Sequence, residues 1–155
     1  MKIYKSIILF LIFTIVAISI YFFGFTDSYK TSLKAKVKYI EGDYKEANKL
    51  AKEAFDKDPY NRMAIGVLAQ SKISVEFIDY IEYAKKYLKK IEALTKKNNF
   101  SNRDKIKIKV MCEVMIGRYK KLNATVMTDN YLKKEASRYY KRFKSIYEEL
   151  FKKEG

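Results

Sequence analysis

Few residues in this chain could do covalent chemistry. Asp56 and Asp58 are close enough in sequence to suggest paired carboxylates for acid–base work. They flank a helix end just before Pro59, however, and the turn there accounts for both. Asp27 and Asp43 read as cap or turn residues. Cys112 is the one cysteine and the chain has no histidine. A thiol nucleophile needs a base or a cationic setting, and Cys112 lies in an apolar stretch, so it is expected to be an inert core thiol. No disulfide can close within the chain, and a structural zinc site, which needs four Cys or His ligands, cannot be built. Gly42 and Gly117 stand alone, so there is no glycine-rich phosphate loop. The sequence therefore reads as non-enzymatic, with no cofactor and no metal. Asn123-Ala124-Thr125 matches a glycosylation acceptor, a triplet common by chance.

What remains is charge. The chain has 155 residues with 33 Lys and Arg against 18 Asp and Glu, a formal charge of +15. Ten basic residues lie between Lys85 and Lys109, against Glu92 and Asp104. A basic ridge of Lys85, Lys86, Lys89, Lys90, Lys96, Lys97 and Arg103 suits an anionic partner: lipid head groups, an acidic protein segment or a polymer. It also suits a plain solvated helix face. The segment holds a single Arg and no aromatic platform, which argues against nucleic acid.

The elements that must carry these residues are helical. One Pro and five Gly leave few loops, and 48% apolar residues exclude a disordered chain. Ile7 to Phe25 is a 19-residue run without charge, broken only by Thr14, Ser19 and Gly24. A bilayer core of about 30 Å needs roughly 20 helical residues, so residues 1–25 read as an N-terminal transmembrane anchor. Ala17 and Ser19 resemble a signal cleavage site, but the apolar run continues past them. Lys2 and Lys5 precede the run, and Lys30, Lys34, Lys36 and Lys38 follow it. A short basic N-terminal segment usually stays inside, and long following domains translocate largely regardless of charge. The expectation is a single-pass protein of the cell (inner) membrane with its domain on the periplasmic or extracytoplasmic side.

Residues 26–155 hold 31 of the basic residues and all 18 acidic ones, a net of +13. Leu33, Ala35, Val37, Tyr39 and Ile40 belong to a helix of about 14 residues, and Gly42-Asp43 signals a turn. Tyr44, Ala47, Ala51, Ala54 and Phe55 share one face of a second helix, which Asp58-Pro59 ends. Over 28–61 the chain resembles a tetratricopeptide repeat. The likeness rests on Ala35, Gly42, Asp43, Tyr44, Glu46, Ala47, Ala54, Asp58, Pro59 and Asn61, and on the 34-residue period. Thr31, Lys34 and Lys38 depart from the family pattern, as in a terminal repeat. The resemblance implies a stacked α-solenoid whose first helices line a partner groove. Carried over, that groove is Tyr29, Ser32, Lys36, Tyr39 and Ile40 from one repeat, and Met63, Gly66, Gln70 and Ile73 from the next.

Downstream the pattern degrades into repeats over about 62–97 and 102–153. A turn is expected between Ser74 and Phe77, with Ser74 capping a helix that carries Phe77, Ile81, Ala84, Leu88, Ile91 and Thr95. Ser101 with Asp104 resembles a capping box. The next helix carries Ile106, Val110, Val114 and Gly117 on one stripe with Met111 and Met115 beside it. Gly117 is either a third repeat's turn or a mid-helix glycine. The last helix, from about Thr128, repeats Leu132, Ala136, Tyr139, Phe143, Ile146 and Leu150 as a heptad stripe. That stripe suits a C-terminal capping helix or a homo-oligomer seam. The fold class is thus all-α, with antiparallel hairpins and about six helices. The expected function is a membrane-anchored scaffold binding a protein partner in an envelope assembly such as a secretion, pilus, motility or translocon complex. The alternative is a basic module for anionic lipid or polymer.

Overall fold

The structure is a computed structural model describing residues 2–96 and 99–151. It is all-α. The helices are α1 (Lys2–Phe25), α2 (Asp27–Ile40), α3 (Tyr44–Lys57), α4 (Arg62–Thr95), α5 (Asn102–Lys120) and α6 (Asn130–Phe151). The chain divides into two compact units, residues 1–71 and 72–155, and the boundary falls inside α4.

In the first unit, α1 is about 36 Å long at ~1.5 Å per residue. From Tyr4 to Tyr21 its side chains are exposed but for the half-buried Thr14. Its length and composition suffice to cross a membrane, a property that a signal sequence shares. Next, α2 and α3 form a hairpin. Gly42 sits at φ +83, where a Cβ is disfavoured. Its N–H donates to Tyr39 O, and Asp43 N–H donates to Lys38 O, which closes α2 with a Schellman motif. The Asp43 carboxylate then accepts from Glu46 N–H and starts α3. Ala35, Ala47, Ala51 and Val67 form the core, with Tyr39, Leu50, Met63 and Leu68 packed on it. The alanines let α2, α3 and the start of α4 approach closely.

The entry to α4 depends on Asn61, a buried residue. Its Oδ1 accepts from Met63 and Ala64 N–H, capping the helix. Its Nδ2 donates to Ser28 Oγ at 2.9 Å and to Ser32 Oγ at 3.2 Å, tying α4 to α2.

The expected turn between Ser74 and Phe77 is absent, because α4 runs unbroken for 34 residues. No Gly or Pro interrupts 67–95. Ser71 and Ser74 are fully buried, and Ser71 Oγ returns its hydrogen to Leu68 O of its own helix rather than capping a new one.

In the second unit, the capping box of Ser101 and Asp104 opens α5 as expected. Gly117 lies inside α5 and makes no turn. The α5 stripe is a correction. Ile106, Val110 and Val114 are 63%, 51% and 39% exposed, while Ile108, Cys112 and Met115 are fully buried. The helix carries apolar rows on two sides, and packing chose the other one. Antiparallel pairing of α4 with α5 shows in the Tyr80–Tyr119 rings at 5.7 Å and in Arg118 over Tyr83 at 4.2 Å. The Tyr119 ring stacks on Tyr140 of α6 at 4.3 Å, and Tyr147 Oη donates to Glu113. Leu132, Ala136 and Phe143 are buried and Tyr139, Ile146 and Leu150 half-buried, so the α6 stripe faces this unit's own core.

Candidate partner-binding surfaces

The first unit offers less surface than the resemblance implies. Ser32 is fully buried and accepts from Asn61, so it cannot face a ligand. Tyr39 and Met63 pack on the alanine core, and the Tyr39 ring meets the Tyr44 ring edge-on at 5.2 Å. Ser32 is drawn inward by Asn61, while Tyr39 and Met63 are half-buried. Lys36 and Ile40 are exposed, and Tyr29, Gly66 and Gln70 are half-buried. Ile73 falls in the other unit, half-buried along α4. Of the repeat's structural positions, Ala35, Ala47 and Ala54 are fully buried, Tyr44 is half-buried, and Pro59 stands exposed between α3 and α4.

The second unit presents the ridge. Lys85, Lys86, Lys89, Lys90, Lys96 and Arg103 are all exposed, and Lys97 lies outside the described residues. At about 100° per residue these cations fall in two rows on α4. Lys85, Lys89 and Lys96 make one. Lys86 and Lys90 make the other, nearer α5's exposed side. Lys96 Nζ pairs with Glu92 at 2.6 Å, and that hydrogen bond holds the Glu92 carboxyl below its ordinary pKa. Lys90 lies 5.8 Å from the Tyr87 ring centre.

Beside that second row lies a groove that the sequence reading missed. Ala93 and Leu94 of α4 and Ile106, Val110 and Met111 of α5 line an open, almost wholly apolar trough of about 610 Å³. Lys90 of α4 and Lys107 of α5 also line it. A second cleft, of about 410 Å³, lies further along the same pair of helices. Glu76, Asp79, Tyr83, Arg118 and Lys121 line it. Tyr83 and Lys90 are seven residues apart, and Lys107 and Arg118 eleven, so the two clefts share one side of the α4–α5 pair. The available signal was α5's second apolar row, because a helix packed on one side can bury only one.

Burial pushes the Cys112 thiol up to about 11, so it is protonated at neutral pH. Burial, with Tyr119 and Tyr140 adjacent, likewise raises the Tyr80 hydroxyl, which stays neutral. Among the described residues no group of three Cys, Asp or Glu side chains is placed to hold a metal ion. Comparison with family models, with characterised proteins and with solved structures gave no match.

Proposed function

We propose that this chain is a non-catalytic, membrane-anchored adaptor. In this reading α1 stays in the cell membrane and the helical domain, on the extracytoplasmic side, holds a protein partner of an envelope assembly. The observation that carries it is the open apolar groove of α4 and α5. Exposed aliphatic rows on a soluble surface are costly to maintain and mark interaction sites. The exposed apolar length of α1 supports anchorage. The α2–α3 hairpin, closed by Gly42 and packed through alanines, supports reading 28–61 as one tetratricopeptide-like repeat. The unbroken α4 confines that likeness to this hairpin.

A second reading, a basic module for anionic lipid or polymer, is favoured by the exposure of every described ridge cation. Salt separates the two, since an apolar contact tolerates it and a lysine ridge does not.

The test is chemical crosslinking in native membranes. The full chain should resist carbonate extraction and form a discrete adduct with another protein. A reporter active only outside the cytoplasm, fused after Gly155, should be active. Release by carbonate, or the absence of any adduct, would contradict the adaptor reading, and activity of a cytoplasm-only reporter would reverse the orientation.

A further inference from the structure

The geometry points to an occupant for the α4–α5 groove: an acidic amphipathic helix from a different protein. This rests on the adaptor reading and goes beyond it by naming the site and the partner's chemistry. Ile106, Val110 and Val114 recur every four residues, so the row spans about 12 Å, roughly two helical turns. A partner helix presents anchors at matching i, i+4 and i+7 spacing.

The banks set the charge. Lys90 of α4 and Lys107 of α5 both line the trough. Lys86 lies one turn before Lys90, and Arg103 four residues before Lys107, both exposed. Lys107 has only a loose contact with Asp104, at 3.7 Å. An acidic residue beside each apolar anchor of the incoming helix would meet a cation on either bank. Further along the same α4 face, Glu76 and Asp79 are matched by Arg118 and Lys121, so the uncompensated positive charge lies at the last turns of α4.

Charge disfavours a second copy of this chain, because residues 26–155 carry +13 and the same lysines would be set against one another. The open trough disfavours a lipid tail. Ile106 and Val110 are more than half exposed, so an acyl chain lying there would keep one side in water.

The test uses the full chain in neutral detergent and a fluorescein-labelled helical peptide of about 18 residues, five turns. The peptide has Leu at heptad a and d positions and Glu and Ala elsewhere, and a matched peptide has Lys for Glu. By fluorescence anisotropy the Glu peptide should bind at least tenfold more tightly than the Lys peptide. Ile106→Ser with Val110→Ser removes exposed side chains and should leave the circular dichroism unchanged while weakening binding more than tenfold. Lys90→Gln with Lys107→Gln should weaken it several-fold at low salt and less at high salt. Lys49→Gln with Lys52→Gln, the same charge change elsewhere, should change it less than twofold.

Equal binding of both peptides, or equal loss from the groove and the control variants, overturns the proposal. Competition by anionic phosphatidylglycerol vesicles, with no effect of the groove variants, assigns the surface to lipid and overturns it as well. So does disulfide-linked dimer formation by Val110→Cys in place of peptide binding. If the full chain forms its adduct in native membranes but the Glu peptide does not bind, the acidic-helix proposal fails while the adaptor reading stands.

Discussion

Replacing Asn61 with alanine should remove four hydrogen bonds, two that cap α4 and two that join it to α2. The cap on α4 is lost, because Met63 and Ala64 N–H both donate to Asn61 Oδ1 at 3.1 Å. Loss of an Asn cap costs about 1 kcal/mol, within a range of roughly 0.5–2. Nδ2 also stops donating to Ser28 and Ser32. Both serines keep an outlet for their own hydrogen, Ser28 to Ala54 O and Ser32 to Tyr29 O, each at 2.8 Å. They lose a donor and leave no orphaned hydroxyl, so each bond is worth at the low end, about 0.5–1 kcal/mol. The total is about 2–3 kcal/mol. For a chain of this size that is a fall of roughly 4–12 °C in melting temperature, at about 2–4 °C per kcal/mol. The assay is thermal unfolding of the full chain in mild detergent, followed by circular dichroism. Asn61→Ser, which can still cap, should lose about half as much. Tyr60→Ala, at a side chain 90% exposed, should do almost nothing. If Asn61→Ala melts with the parent, or no lower than Tyr60→Ala, the coupling of α2 to α4 through this residue is wrong.

Three further outcomes follow from the packing. Ala47→Leu or Ala54→Leu should destabilise by about 1–3 kcal/mol, since both alanines are fully buried, while exposed Lys45→Leu should not; thermal melts compare them. Gly42→Ala should cost about 1–2 kcal/mol by urea unfolding, all of it backbone strain, because a Cβ there meets no atom within 4 Å. Cys112, its thiol raised to about 11, is neutral at pH 8 and should label slowly with maleimide until denaturant exposes it; rapid labelling of the native chain would place it at the surface.

The features that could be read from sequence are those fixed by neighbours in the chain. Gly42-Asp43, Asp58-Pro59 and Ser101 with Asp104 act on backbone within a few residues, and each terminates or starts a helix where expected. The buried alanines at 47, 51 and 54 followed from helical spacing, and Ala35 from the repeat resemblance. The misreadings all needed distant information. Ser32 has the polarity of an outward residue, and its burial depends on Asn61, 29 residues away. Ser74 is a good cap in isolation, but nothing near it breaks the helix, and α4 continues. On α5, periodicity alone cannot rank the 106–110–114 row against the 108–112–115 row. The neighbours that bury one row leave the other as the floor of the groove, so the missed site and the misassigned stripe are one error.

A scan along α5 with a photo-crosslinking residue, in native membranes, tests the central claim most directly. Positions Ile106, Val110 and Val114 should give adducts with a partner protein, and Lys109, whose Nζ lies 5.9 Å from the Phe151 ring of α6, should give none. Uniform yield along the helix, or no adduct at the three apolar positions, would contradict a partner seated in the α4–α5 groove.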